Sequence, residues 1–401
     1  MLYQNVCLET FAYLLPDEVV TSAKIEALLE PLYTRLHLPE GRLELMTGIA
    51  ERRFWPRCTL PSQKSIETAE KAIRIAGIEK QHIGALVHGS VCRDFLEPAT
   101  ACGVHHRLGL PNHCAVYDVS NACLGLLNGV VHVANMIELG QIRAGLVVGT
   151  ETGRSLVETT IRHLNADSAL SRNDIKAAFA SLTIGSGSAA IVLCDRELSR
   201  TGNRLLGGVM QTATEHCELC QGGYSERPTT NLPSPGTDRR LVGRGAGGEG
   251  GGGVGGANVP SLLMSTDSEA LMREGVAAAQ ATFAGFLAEM EWSAEDIHKT
   301  FCHQVGRAHH RLLFESLRLA PQLDFATFAY LGNTGSVALP MTAAIGIENG
   351  HLKKDDHVAL LGIGSGINVI MLGVEWQRSL VAKPPLVAVP HSQSAGVLGG
   401  R

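Results

Sequence analysis

The sequence predicts a layered α/β protein built as two related halves, and three observations carry that expectation. Short apolar runs bounded by glycine alternate with segments of helical spacing, as in strands joined by crossover helices. The stretch between Asp118 and Glu138 holds no charged residue, so a helix there must be enclosed on every face. Asn121-Ala122-Cys123 opens that helix, which ends at Gly140, and Asn333-Thr334-Gly335 opens a second small-residue helix ending at Gly350.

Taken in order, residues 3–14 read as a strand, and Thr21-Ser22 caps a helix over about 23–36. Thr47-Gly48-Ile49 is a turn followed by the basic-aromatic step Arg52-Arg53-Phe54-Trp55. Two readings of that step stand side by side, a solvated loop and a clamp for the phosphates or adenine of a nucleotide-bearing substrate. Ser65–Ala76 is amphipathic, and Ile83–Gly89 is a buried strand. The loop after it reaches Pro98, which suits the first position of a helix through Leu108, so Glu97 would sit at a helix N-terminus as a dipole-compensating carboxylate. Cys114–Asp118 reads as a buried strand that delivers Cys123 to the first turn of the enclosed helix, where unpaired N–H groups would lower its pKa. Ala144–Gly149 is a further buried strand, ending at Thr150-Glu151. Gly185–Cys194 is a turn into a strand that residues 205–213 can neighbour.

Between Gly222 and Pro260 the composition changes, and Gly243–Gly256 is low complexity with no strand before it or helix after it, as in a linker insertion. Helices are expected over about 267–290, up to Leu319, and over 336–349, with a strand near 298–302 delivering His303-Gln304. Strands at 357–364 and 367–374 enclose the turn Ser365-Gly366. The Pro-rich tail has no periodicity. The organisation expected is therefore an N-terminal half over 1–200, a connecting segment over 201–265, a C-terminal half over 266–376, and a disordered tail over 377–401.

A hydrophobic content of 45% supplies ample core, while a net charge of −5 and low aromatic content exclude nucleic acid as the main partner. The run from Asp118 to Glu138 is as long as a membrane span, but three Asn, one His and two Gly interrupt it and no basic flank marks a cytoplasmic side. Ten cysteines without framework spacing, and no secretion signal at the N-terminus, fit reduced thiols in the cytoplasm. Cys217 and Cys220 form the one close pair; no second pair follows to complete a zinc site, so no metal is expected. Neither Ser186 nor Ser365 sits in a nucleophile elbow, and the Gly-rich run lacks the flanks of a dinucleotide fingerprint.

Nucleophilic catalysis by cysteine needs a thiolate, a proton acceptor and an oxyanion site. Cys123, His303, Asn333 and the Ser365 turn are candidates for these roles, and each alone is equally compatible with a structural one. Together and in this order, Asn121-Ala122-Cys123, His303-Gln304, Gly332-Asn333-Thr334-Gly335 and Gly364-Ser365-Gly366 resemble the thiolase-fold condensing enzymes of the ketoacyl synthase III type. Thr47-Gly48-Ile49 with Arg52-Arg53 resembles their N-terminal signature, and the likeness spans most of residues 1–376.

The resemblance implies a five-layer αβαβα fold with duplicated halves and a Cys–His–Asn triad. Cys123 would accept an acyl group from an acyl-CoA or acyl-carrier-protein thioester. The backbone N–H groups of Cys123 and Ser365 would form the oxyanion hole, and His303 and Asn333 would stabilise an enolate. No cofactor is implied beyond the CoA thioester substrate. Leu96-Glu97-Pro98 resembles the head-to-head acyl-CoA condensing enzymes of bacterial olefin biosynthesis, where a glutamate from one subunit of a homodimer enters the neighbour's site. Glu97 is then the general base of a non-decarboxylating Claisen condensation. The alternatives are a decarboxylating 3-oxoacyl-carrier-protein synthase III of fatty acid biosynthesis, which needs no base, and a non-catalytic binding protein. Ala50 stands where decarboxylating relatives often carry an arginine, so contact with CoA would fall to Arg52 or Arg53.

Overall fold

The computed structural model describes residues 1–225 and 261–381. The Gly-rich stretch 243–256 and residues 382–401 of the expected tail lie outside the described residues. The N-terminal region runs through β1 (Val6–Leu14), β2 (Glu18–Thr21), α1 (Ser22–Leu28), α2 (Glu30–Leu36), α3 (Arg42–Thr47), β3 (Glu51–Phe54), α4 (Pro61–Ala76) and β4 (Ile83–Gly89). It continues with α5 (Thr100–Leu108), β5 (Ala115–Val119), α6 (Gly125–Glu138), β6 (Ala144–Glu151), α7 (Arg154–Ala166), α8 (Arg172–Phe179) and β7 (Gly187–Asp195). There follow β8 (Arg204–Thr212), β9 (Cys220–Ser225), β10 (Ser261–Thr266), α9 (Ser268–Met290), β11 (Lys299–Cys302) and α10 (Arg307–Leu317). The last elements are α11 (Phe328–Leu331), α12 (Ala338–Glu348), β12 (Asp356–Gly364) and β13 (Asn368–Trp376).

Nine strands form one sheet in the order β11-β12-β13-β8-β1-β7-β6-β4-β5. Its two groups meet where β1 touches β8 through the single pairing Cys7↔Arg204. Period-2 alternation then sorts the side chains into layers. On β7, Ala189, Ile191 and Leu193 pack with α6 and α12, whereas Ala190, Val192 and Cys194 face α4 and α5. On β12, Val358 and Leu360 join the same α6–α12 core, whereas Ala359, Leu361 and Ile363 face α9 and α10. The result is helices, strands, the two central helices, strands and helices, a thiolase-like αβαβα arrangement. The run without charges is thus explained: α6 buries Leu126, Leu127, Val130, Val131, Val133 and Ile137 between two sheet surfaces. Full burial of each such side chain contributes about 1.5–3 kcal/mol.

Several expectations need correction. The helix over 23–36 is two helices meeting at Leu29, because Pro31 cannot continue α1. Residues 204–212 pair with β13 and β1, not with the strand ending at Cys194, so the segment 201–265 contributes an integral strand. The strand at Cys114–Asp118 is half-buried, because β5 is the sheet's edge. Helix α5 begins at Thr100, with Glu97-Pro98 a cis peptide upstream of it. The carboxylate receiving its first N–H groups is Asp118, at 2.8 Å from Thr100 N and 2.9 Å from Ala101 N, so Glu97 is not the helix-start carboxylate.

Candidate active site

Cys123 lies on a turn two residues ahead of α6, not in the helix's first turn. The turn is tight: Ala122 has φ +43°, Leu124 N–H donates to Asn121 O at 2.8 Å, and Asn121 Nδ2 donates to Asn128 Oδ1 at 2.8 Å. Across from it, the β12–β13 hairpin turns through Ser365, Gly366 at φ +76° and Ile367 at φ +45°. A β-branched residue in that region is a true outlier, and such strain costs about 1–3 kcal/mol per residue. Two strained turns therefore face each other at the nucleophile. Gly364 allows the approach, since a β-carbon there would lie 2.9 Å from Leu124 and 3.6 Å from Cys123 Cβ.

Burial pushes the Cys123 thiol up to about 12, with the charges of Cys220 and Glu151 acting the same way. This reverses the lowering expected from sequence. The residue keeps some accessible surface, but protein surrounds its thiol closely enough for desolvation to dominate. Opposing the rise, the backbone N–H groups of Ser365 and of Cys123 itself are directed at the sulfur. These are the two donors named from sequence for the oxyanion hole, and the structure brings them together at Cys123.

His303 follows β11 directly, its backbone N–H donating to Leu361 O on β12 at 3.0 Å. Burial drives its imidazole down to about 3, with His309 adding to the effect, so the ring is neutral near pH 7. Its Nδ1 is buried without a hydrogen-bond partner among the described residues. The neighbouring Gln304 ties this strand end to the segment leading to Asn333: Nε2 donates to Cys302 O at 2.9 Å, and Oε1 accepts from Thr327 N at 2.9 Å. Asn333 is fixed through three bonds. Its N–H donates to Thr183 O, its C=O accepts from Gly185, and Oδ1 accepts from Gly335 N–H at 2.9 Å. That fixes the amide plane and leaves Nδ2 as a donor.

Glu97 is exposed on the loop between β4 and α5, and no polar contact among the described residues joins it to Cys123 of the same chain. Phe95 and Leu96 beside it are exposed as well. Arg52 is the opposite case and corrects the clamp expectation. It is fully buried, packed against Gly185 and Gly332, with Nη1 donating to Ser22 Oγ at 3.0 Å and Nε and Nη2 without a partner among the described residues. Burial lowers its guanidinium to about 10. Arg53 is half-buried and donates from Nη1 to Pro16 O at 3.0 Å. Arg52 does not stand open to the phosphates of CoA, whereas Arg53 keeps part of its surface exposed.

Sequence reasoning missed Glu151, a buried carboxylate at the end of β6 whose partners come from the loop after β4 and from Ser336. Its one signal was an acid closing an otherwise apolar strand. Among the described residues no cluster of His, Cys, Asp and Glu is placed to hold a metal ion.

Comparisons with known proteins bear on the fold and the family. Residues 62–181 match the family described as thiolase, N-terminal domain, and residues 287–376 match 3-oxoacyl-[acyl-carrier-protein] synthase III C terminal. The chain is 40% identical over 379 residues to an acyl-CoA:acyl-CoA alkyltransferase of Shewanella oneidensis, covering 94% of this chain and 100% of that protein. The corresponding protein of Xanthomonas campestris is 34% identical, again over 94% and 100%. Among solved structures, a cysteine-to-serine variant of Xanthomonas campestris OleA with lauric acid and lauroyl-CoA bound is similar. It superposes with a TM-score of 0.81 at 33% identity, covering 94% of this chain and 100% of that one. A cerulenin-bound form of the same protein gives the same TM-score and identity, covering 94% and 98%.

Proposed function

The chain belongs to the acyl-CoA:acyl-CoA alkyltransferase family, and on that premise we propose that it joins two acyl-CoA molecules by a non-decarboxylating Claisen condensation. The observation carrying this reading is likeness over the whole length of those relatives, with the sulfur of Cys123 facing two backbone N–H donors. Cys123 attacks the thioester carbonyl of the first acyl-CoA. The tetrahedral oxyanion rests on the N–H groups of Cys123 and Ser365, and collapse releases CoA as its thiol and leaves an acyl-Cys123. Each preorganised donor at such an oxyanion contributes about 2.7–4 kcal/mol.

The second acyl-CoA then loses an α-proton to Glu97 of the partner subunit. Its carbonyl oxygen gains charge against His303 and Asn333. A neutral imidazole can donate one N–H there without adding a charge of its own. The enolate carbon bonds to the acyl carbon, the C–S bond to Cys123 breaks, and a β-ketoacyl thioester results. Both substrates arrive already activated as thioesters, so the reaction needs no cofactor.

A homodimer supplies Glu97. In support, β5 leaves one edge of the sheet without a neighbour among the described residues, and Val91, Phe95 and Leu96 are exposed on the loop that carries the glutamate. The exposed position of Glu97 suits an acid that serves a second chain. The substrate is acyl-CoA rather than acyl-carrier protein, following the relatives' specificity. A cytoplasmic setting is supported by ten free cysteines. No described helix is long and apolar enough to cross a membrane.

Purified protein given lauroyl-CoA alone should release free CoA and form a β-keto product detectable by mass spectrometry. Product formed only when malonyl-CoA is added, with release of carbon dioxide, would replace this reading with the decarboxylating one.

A further inference from the structure

We infer that Glu151 is a positioning residue that clamps the loop carrying Glu97 to the turn carrying Asn333. The inference rests on the condensation proposed above. Glu151 closes β6 and is only 5% exposed. Its Oε1 accepts from Val91 N at 3.0 Å, and its Oε2 accepts from Cys92 N at 3.2 Å. The same Oε1 lies 2.6 Å from Ser336 Oγ and 3.3 Å from Ser336 N. Val91 and Cys92 begin the loop that reaches Glu97, and Ser336 follows the Asn333–Gly335 turn at the entry to α12.

A β-carbon on Gly335 would sit 3.3 Å from the Glu151 carboxyl, so that turn closes directly on the acid. Trp55 Nε1 donates to the Glu151 backbone carbonyl at 3.2 Å, which fixes the strand end from the other side. A buried carboxylate is costly unless its lone pairs are used, and here donors from two separate segments use them. A glutamine whose carbonyl oxygen takes the Oε1 place turns its NH₂ toward Cys92 N, so donor faces donor and the loop is pushed off the clamp.

The Glu151 carboxylate also acts on the Cys123 thiol, helping to hold its pKa up. This supplies a readout that scaffolding alone would not move. In Glu151→Gln, acyl transfer from lauroyl-CoA to Cys123, followed as protein mass, should stay within about threefold of the unmodified protein. Condensation should fall about 100-fold, the loss expected when reacting groups shift by about 1 Å. Alkylation of Cys123 by iodoacetamide at pH 8 should become about threefold faster, because a repelling charge has gone.

Acylation and condensation falling in parallel, or condensation surviving within threefold, would overturn the inference. Ser336→Ala keeps the charge and removes one hydroxyl. It should lower condensation about tenfold with alkylation unchanged, and an unchanged condensation rate in this variant would also count against the clamp. If the unmodified protein makes no product from lauroyl-CoA alone, it is the proposed condensation that fails, and the variants are not needed to see it.

Discussion

Glu151 and Glu97 are two acids of one candidate site held in opposite ways. Glu151 is buried, and its oxygens are committed to N–H and O–H donors from two segments. Glu97 is exposed, follows two exposed apolar residues and has no fixed partner among the described residues. A carboxylate that accepts from Val91, Cys92 and Ser336 is held in place by the protein, so its work is geometric. A carboxylate that nothing among the described residues holds keeps its freedom to reach another molecule. Burial therefore separates the group that shapes the site from the group that would move a proton.

The largest effect expected tests that division directly. Cys123→Ala should abolish acyl transfer to the protein, and radiolabel from acyl-CoA appearing on another residue would end the nucleophile assignment. Glu97→Gln should leave acylation intact and lower condensation by about 10²–10⁴-fold, the range for loss of a general base. Mixing the two inactive variants sharpens the test. A mixed dimer pairs an intact Cys123 from one subunit with an intact Glu97 from the other, so activity should return. If condensation stays absent in the mixture while each parent folds and dimerises, Glu97 does not act across the subunit boundary.

The positions that were legible in the sequence are those where small residues punctuate apolar runs. Asn121-Ala122-Cys123 and Gly364-Ser365-Gly366 are turns pressed together, and only glycine at 364 lets Leu124 and Cys123 approach. The enclosed character of α6 followed from its lack of charge. What was not legible depends on neighbours distant in sequence. Period 2 gives the face of a strand but not its partner, so β8 was set beside the wrong strand. Arg52 read as a surface cation because the glycines that bury it, Gly185 and Gly332, lie far along the chain. The Cys123 pKa was expected to fall because a helix N-terminus is visible in sequence and desolvation is not.

Smaller effects come from the histidines that the fold desolvates. His88 and His309 are held at about 4 and His303 at about 3, in each case chiefly by burial. These folded values lie below the ordinary 6.5, so the unfolded chain binds protons that the folded chain refuses. Stability is then complete above about pH 6.5 and falls as pH drops toward 4, by about 1 kcal/mol per pH unit for each histidine. Urea midpoints at pH 7 and pH 5 should differ accordingly. A flat profile over that window would mean that the imidazoles are not held neutral in the fold.

Arg52 gives the smallest effect and the sharpest contrast with Glu97, since both were named from sequence as groups that meet substrate. A buried guanidinium whose Nε and Nη2 find no partner among the described residues carries an uncompensated desolvation cost. Methionine has a similar length and no charge, so Arg52→Met should change stability by no more than about 1 kcal/mol, toward greater stability if the relief of desolvation exceeds the lost bond to Ser22. Its KM for acyl-CoA should stay unchanged, because a side chain enclosed by Gly185, Gly332 and Ser22 has no route to a phosphate. A tenfold rise in KM with kcat preserved would restore the clamp and require this part of the fold to open when CoA binds.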